Sequence, residues 1–101
     1  MDIQQIDFLT GGKSLTIHAS FEELVKALGE PQWIDEKTEK QDVCWHVRDC
    51  DTGRKLSVWN YKNGPNYLGE DGTPPEDIEN WSAGGDESLA EDLGFDVESM
   101  S

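Results

Sequence analysis

The clearest hydrophobic pattern in the chain is helical and ends before a glycine. Four apolar residues follow the i, i+3, i+4, i+7 spacing of one helix face, and they are Phe21, Leu24, Val25 and Leu28. Ser20 and Glu23 have the spacing of a capping box, while Gly29 and Pro31 provide a stop signal. The pattern therefore predicts a helix over residues 20 to 28 with one buried face.

Period-two alternation is strongest between residues 43 and 61. The first run has apolar side chains at Val43, Trp45 and Val47. The second run contains Leu56, Val58, Trp59 and Tyr61. Because the segment from residue 51 to 53 reads Asp-Thr-Gly, which favours a turn, we expect a β-hairpin over residues 43 to 61.

Weaker alternation lies near the N-terminus, at residues 3 to 8 and again at residues 14 to 18. Gly11 and Gly12 stand between these two runs and favour a turn. The pattern predicts an N-terminal hairpin.

The second half of the chain has shorter signals. The segment from residue 63 to 75 is rich in Gly, Pro and Asn, which favours a surface loop without regular structure. A short strand is expected over residues 78 to 83, with Gly84 and Gly85 breaking it. A short helix is expected over residues 86 to 93, and residues 96 to 101 are predicted to form a loose acidic tail.

Together these elements predict one small α+β domain over residues 1 to 95. In this domain the helix over residues 20 to 28 packs on a small antiparallel sheet. The sheet contains the N-terminal hairpin, the hairpin over residues 43 to 61 and the short strand over residues 78 to 83. A chain of 101 residues buries only about two thirds of its unfolded surface, so a second independent core is not expected.

The charge of the chain is strongly acidic and unevenly distributed. It has 22 acidic and 8 basic residues, for a net charge of −14. All the Lys and Arg residues precede residue 63, whereas residues 63 to 101 hold 11 acidic residues and no basic one. Such a surface repels phosphate backbones and anionic membranes, so direct binding to nucleic acid or to a membrane is not expected. A basic protein is the expected partner.

Nine acidic residues after residue 63 are the candidates for contact with such a partner. They are Glu70, Asp71, Glu76, Asp77, Glu79, Asp86, Glu87, Glu91 and Asp92. Carboxylates can occupy the positions of phosphates opposite the Arg and Lys of a nucleic-acid-binding protein. The alternative interpretation is that the charge only confers solubility and that Asp86 and Glu87 favour a helix N-terminus.

Two aromatic residues offer a second candidate interface. Strand alternation places Trp59 and Tyr61 on the face opposite Leu56 and Val58. Exposed Trp and Tyr residues are frequent anchors of protein interfaces, although an aromatic stripe in a small domain is also typical of a core.

The residues with metal-binding or catalytic chemistry form no recognisable motif. The soft metal ligands are His18, Cys44, His46 and Cys50, and neither Cys has the close second Cys of a zinc site. Asp49, Asp51 and Gly53 loosely match a calcium loop and better match a turn with Asx-type hydrogen bonds. No nucleophile turn or phosphate-binding glycine loop is present. The sequence predicts free thiols, no metal, no cofactor and no enzymatic activity.

The location of the protein is also constrained by the sequence. No apolar run approaches the roughly 20 residues that cross a bilayer, and the N-terminus lacks the basic and apolar regions of a secretion signal. We expect a cytoplasmic protein.

A set of short motifs extends over residues 17 to 85. The motifs are Ala19-Ser20-Phe21-Glu22-Glu23-Leu24-Val25, Leu28-Gly29-Glu30-Pro31, Trp45-His46-Val47-Arg48, Val58-Trp59-Asn60-Tyr61-Lys62 and Trp81-Ser82-Ala83-Gly84-Gly85. A helix that ends in Gly-Glu-Pro, followed by a hairpin rich in Trp and Tyr, resembles short accessory proteins of phages and prophages. The resemblance implies a phage origin and an α+β fold, and it implies no activity. In size and charge the chain is also similar to anti-CRISPR and anti-restriction proteins that mimic nucleic acid.

These observations lead to two functional hypotheses. In the first, an acidic phage-type accessory protein binds and inhibits a basic host protein that binds nucleic acid in a defence system, in the cytoplasm of the host cell. In the second, the chain is a virion structural or assembly factor, or another non-enzymatic phage protein, and its charge only keeps it soluble and prevents premature association.

Overall fold

Seven strands form one antiparallel sheet in the computed structural model, which describes residues 2–6, 12–34 and 40–99. The strands are β1 (Ile3–Gln5), β2 (Leu15–His18), β3 (Gln32–Trp33), β4 (Val43–Asp49), β5 (Lys55–Trp59), β6 (Asn80–Gly85) and β7 (Asp96–Ser99). The helices are α1 (Phe21–Leu28), α2 (Pro65–Leu68) and α3 (Glu87–Asp92), with single 3-10 turns at Gly69–Asp71 and Pro75–Asp77. The strand order is β1-β4-β5-β6-β2-β7, and β3 pairs with β4 as well. The architecture is α+β, as predicted.

The core lies on one face of the sheet, beneath α1 and α3. Two tryptophans, Trp45 and Trp81, meet edge to face there with their ring centroids 5.4 Å apart, and Phe21 of α1 packs against both. The indole N–H of Trp81 donates to the carbonyl of Ala19, and that of Trp45 donates to the carbonyl of Gly29. Both ends of α1 are therefore fixed to the sheet by tryptophan hydrogen bonds.

The helix predicted over residues 20 to 28 is confirmed as α1. Ser20 is the N-cap, and both hydrogen bonds of the capping box with Glu23 form. Leu24 and Leu28 are buried, as the helical spacing predicts. The helix ends at Gly29, whose φ of 88° is one that side-chain-bearing residues rarely adopt.

The hairpin predicted over residues 43 to 61 is confirmed as β4 and β5. Its register pairs Trp45 with Val58 and aligns the buried face of both strands. In the turn, the backbone N–H of Asp51 donates to the carboxylate of Asp49, and Gly53 has a φ of 78°. The turn interpretation of this segment, with its Asx-type hydrogen bond, is therefore confirmed.

The predicted N-terminal hairpin is wrong. β1 pairs with β4, in a register that places Ile3 opposite Asp49, while β2 pairs with β6 and β7. The side chain of Gln5 also donates to the carbonyl of Leu28, which holds β1 near the end of α1. Both N-terminal strands thus gain more contacts from distant segments than from each other. The expected turn residue Gly11 lies outside the described residues.

The segment from residue 63 to 75 is more regular than predicted, because it contains α2 and the turn Gly69–Asp71. The strand expected over residues 78 to 83 is present as β6, but it extends through Gly84 and Gly85. A Cβ atom at Gly84 would lie 2.6 Å from the carbonyl oxygen of Gly12, so this glycine allows another chain segment to cross the strand. The two glycines therefore do not end the strand as predicted, and Gly84 instead allows the backbone of Gly12 to pass close to it.

The short helix predicted over residues 86 to 93 is confirmed as α3, but the predicted loose tail is wrong for residues 96 to 99. These residues form β7, which pairs with β2. Val97 packs against the core while Asp96 and Glu98 lie on the other face, so the acidic side chains concealed the alternation. The domain boundary at residue 95 is wrong for the same reason. Within the described residues, none of the helices is long and apolar enough to cross a membrane.

Candidate functional site

The nine candidate acidic residues fall into three groups. Glu70 and Asp71 are exposed in the turn after α2. Three more, Glu76, Asp77 and Glu79, are exposed between that turn and β6, where the buried side chains of Pro75 and Ile78 anchor the chain. The third group belongs to α3 and consists of Asp86, Glu87, Glu91 and Asp92.

The middle group lies beside an open groove of about 520 Å³ at the end of β2. The groove is lined by His18, Ala19, Ser20, Glu23, Glu79, Asn80 and Asp96. A second depression of about 240 Å³ shares Glu79 and Asn80 with it and adds Asp77. We call this joined surface the acidic groove, and its four carboxylates belong to Glu23, Asp77, Glu79 and Asp96. Within the part of the chain that the structure describes, none of these four carboxylates takes part in an ion pair.

His18 is the one residue of the groove lining that can carry a positive charge. Its Nδ1 bonds the side-chain oxygen of Asn80 on β6, and its Nε2 lies 3.3 Å from Glu98 on β7. The hydrogen bond to Asn80, and after it the bond to Glu98, raises the pKa of His18 above its usual value. The imidazolium form therefore links β2 to both of its neighbours.

The acidic residues of α3 have a different environment, because two of them bond within the chain. The carboxylate of Asp86 accepts the backbone N–H of Lys55 at 2.9 Å. The carboxylate of Asp92 accepts a hydrogen bond from Nη1 of Arg54 at 2.8 Å, and this bond, together with the one that Arg54 donates to Asp49, raises the pKa of Arg54. Asp86 and Asp92 thus fix α3 to the hairpin turn. Because their carboxylates already accept these hydrogen bonds, they are less available to a partner than the carboxylates of the groove.

Trp59 and Tyr61 lie on the face opposite the core, as the alternation predicts. Trp59 is half-buried and its ring lies near Gly84, whereas Tyr61 is 47% exposed. With Lys13 and Ser82 they line a depression of about 300 Å³. The ammonium group of Lys62 lies over the Tyr61 ring, 5.3 Å from its centroid. Both aromatic residues therefore reach the surface. Their depression is separate from the acidic groove, since the two share no lining residue.

A buried polar network fixes the loop that follows Tyr61. The side chain of Asn60 is fully buried, and its oxygen accepts the backbone N–H groups of Asp42 and Val43 at 2.7 and 3.1 Å. Its amide nitrogen donates to the carboxylate of Asp42 and to Asn63. The same carboxylate accepts the backbone N–H of Asn66. We call these residues the Asn60 network.

The Asn60 network was not predicted as a structural feature, although the sequence holds a signal for it. Strand alternation places Asn60 on the core face with Leu56 and Val58, and a polar residue at a core position requires buried hydrogen-bond partners. The partners come from Asp42 and from the loop, which alternation does not identify.

The two cysteines add no metal-binding chemistry to the acidic groove, because neither lines it. Cys44 and Cys50 are both free thiols; the first is buried, and the second is exposed. Burial raises the pKa of the Cys44 thiol, which disfavours its reactive thiolate form. In the described ranges, no three side chains of His, Cys, Asp or Glu converge to hold a metal ion.

Comparison with known proteins adds no family assignment. The resemblance to phage accessory proteins rests on capping, turn and core positions, and it stays a prediction. No family model, curated protein or solved structure matches the chain.

Proposed function

We propose that this protein binds a basic, nucleic-acid-binding protein through the acidic groove and thereby prevents that partner from binding nucleic acid. One observation carries the proposal. The carboxylates of Glu23, Asp77, Glu79 and Asp96 line two adjoining depressions, and none of them is in an ion pair among the described residues. A concave surface whose lining carries four carboxylates and one histidine is suited to basic side chains.

The chemistry of the groove explains why the partner would lose nucleic acid. Arg and Lys side chains that bind phosphate groups also bind carboxylates with charge-assisted hydrogen bonds, so the two ligands compete for the same side chains. The net charge of −14 adds long-range attraction for a basic partner and repulsion of nucleic acid. In the setting that the phage resemblance implies, the partner is a host defence protein in the bacterial cytoplasm.

The test is competition between the protein and duplex DNA for one partner. The partner is captured from a bacterial lysate at low salt and identified, and the pure proteins are then assayed with labelled DNA. We expect this chain to displace the DNA, and we expect displacement to weaken steeply as salt rises, because surface charges are screened.

A triple variant locates the surface that competes. Glu76→Gln, Asp77→Asn and Glu79→Gln together remove three charges at or next to the acidic groove. The matched control removes three exposed charges elsewhere, with Asp2→Asn, Glu30→Gln and Asp51→Asn. We expect the groove variant to associate more slowly and the control to compete nearly as well as the wild type. Equal competition by both variants, or a captured partner that is acidic and does not bind nucleic acid, would exclude the groove as the binding surface.

A further inference from the structure

β7 forms an open edge of the sheet. It lies at one end of the strand order and pairs only with β2 among the described strands. In an antiparallel sheet, the N–H and C=O groups of one residue point to the strand on one side, and those of the next residue point to the strand on the other side. The ladder between β2 and β6 continues through Ala19, whose N–H donates to the carbonyl of Glu79 at 2.9 Å. The backbone N–H and C=O groups of Ala19 therefore point toward β6. Those of Ile17 and Leu15, two and four residues earlier, point the same way.

This alternation identifies the backbone groups of β7 that pair with no other strand among the described residues. Thr16 and His18 face β7, where their partners are Glu98 and Asp96. The N–H and C=O groups of Asp96 and Glu98 thus pair with β2. Those of Val97 and Ser99 point away from β2, toward the open edge.

The side chains at this edge are acidic on one face. Asp96 and Glu98 lie on the sheet face opposite the core, and α3 packs against β7 on the core side. Asp96 also lines the acidic groove, so the groove begins where the open edge begins. The edge and the groove form one continuous acidic surface.

We propose that an extended, basic segment of the partner adds to the sheet as a strand beside β7. Its backbone pairs with the free groups of Val97 and Ser99, and its Lys or Arg side chains at alternate positions lie next to Asp96 and Glu98. At the Asp96 end of β7, the segment continues toward Glu79 in the acidic groove. This inference rests on the proposed function, since it names the part of the basic partner that is recognised. Strand addition of this kind obtains affinity from main-chain hydrogen bonds and specificity from alternate side chains.

A second copy of this chain is a poor occupant of the same edge. Two β7 strands side by side would bring the carboxylates of Asp96 and Glu98 of both copies together, and like charges across a strand pair are destabilising. Acidic side chains on an edge strand can also serve only to prevent aggregation. In that case no strand should pair with β7, and the experiment separates the two roles.

The experiment measures amide hydrogen exchange in the full chain with and without a synthetic peptide that alternates Lys and Val. We expect the exchange of the Val97 and Ser99 amides to slow by on the order of tenfold or more when the peptide binds, because these N–H groups gain partners. The amides of Asp96 and Glu98 already bond to β2, so they should change much less. A peptide of the same composition with consecutive lysines should bind more weakly and should not slow the Val97 and Ser99 amides.

A pair of variants tests the backbone contact directly. Ser99→Pro removes one outward N–H and no bond to β2, whereas Ser99→Ala keeps that N–H. We expect the proline variant to bind the alternating peptide about tenfold more weakly, which corresponds to the loss of one hydrogen bond, and the alanine variant to bind like the wild type. Unchanged exchange of Asp96 and Glu98 in the free variants shows that β7 is intact.

The outcomes separate this inference from the proposed function. If the alternating peptide binds without slowing the Val97 and Ser99 amides, or if Ser99→Pro binds it as well as Ser99→Ala, the strand addition is wrong. The proposed function would survive that result provided that the groove variant still loses competition with DNA. If the groove variant competes as well as its control while the peptide protects Val97 and Ser99, the edge pairs with basic strands and the proposed function is wrong.

Discussion

At the scale of single residues, Asn60 is a fully buried polar side chain whose hydrogen bonds fix the loop that follows it. It satisfies two backbone N–H groups, and it also donates to the buried carboxylate of Asp42. The geometry around it leaves no free space, because a Cβ atom at Gly64 would lie 1.8 Å from an Asp42 carboxylate oxygen. The loop that carries Tyr61 and Tyr67 on the surface is therefore held by hydrogen bonds rather than by apolar burial.

We expect Asn60→Ala to lower the free energy of unfolding by about 2 to 4 kcal/mol, because it removes the acceptor of the Asp42 and Val43 N–H groups and the donor to one oxygen of the Asp42 carboxylate. Urea unfolding measures this change. Asn63→Ala is the matched control, since Asn63 is half-buried and gives up one hydrogen bond, and it should cost about 1 kcal/mol or less. If the two variants are equally stable, the network does not hold the loop.

At the scale of elements, local signals predicted α1, the hairpin of β4 and β5, and α3, because caps, turns and periodicity depend on neighbours in the sequence. The errors in the sheet are long-range pairings, whereas α2 and the turn after it are local elements that the Gly- and Pro-rich sequence concealed. β1 joins β4 across more than forty residues, and β7 joins β2 across about eighty. Nothing in the alternation of a three- or four-residue strand specifies which distant edge will accept it.

The candidate site was predicted in part for the same reason. Asp77 and Glu79 were candidates because of the charge imbalance, which is visible in the sequence. Glu23 and Asp96 were missed, because they reach the groove only when the end of β2 brings the start of β6 and the start of β7 together. Charge identified the type of surface, and the sheet topology determined which carboxylates share it.

The link between β2 and β7 should depend on pH through His18. Its pKa is raised above 6.5 in the folded protein, so its contribution to stability is fully present below pH 6.5 and is lost as the pH rises through the raised pKa. We expect the difference in unfolding free energy between the wild type and His18→Gln to be larger near about pH 5.5 than near about pH 9. Asn80→Ala should reduce this pH dependence, because the Asn80 bond is the main cause of the shift. A difference that does not change with pH would show that His18 does not hold the edge strand through its charge.

At the scale of the whole molecule, the fold brings negative charges together at the acidic groove, and His18 is the one basic residue of its described lining. Such crowding favours a basic partner and costs stability in its absence, because like charges in the folded protein repel one another. The basic residues Arg54 and Lys26 are paired elsewhere, with Asp49, Asp92 and Glu22. They do not relieve the groove through an ion pair.

We therefore expect added salt to raise the melting temperature of the wild type, and to raise it less for the groove variant with Glu76→Gln, Asp77→Asn and Glu79→Gln. Salt screens the repulsion that this variant has already removed, so at low salt the variant should be at least as stable as the wild type. The control with Asp2→Asn, Glu30→Gln and Asp51→Asn should gain less at low salt, because its charges lie in the half of the chain that holds all the Lys and Arg residues. Thermal unfolding followed by circular dichroism measures all three proteins. A wild-type melting temperature that does not respond to salt would mean that the acidic groove stores no repulsion, and a basic partner would then gain nothing from relieving it.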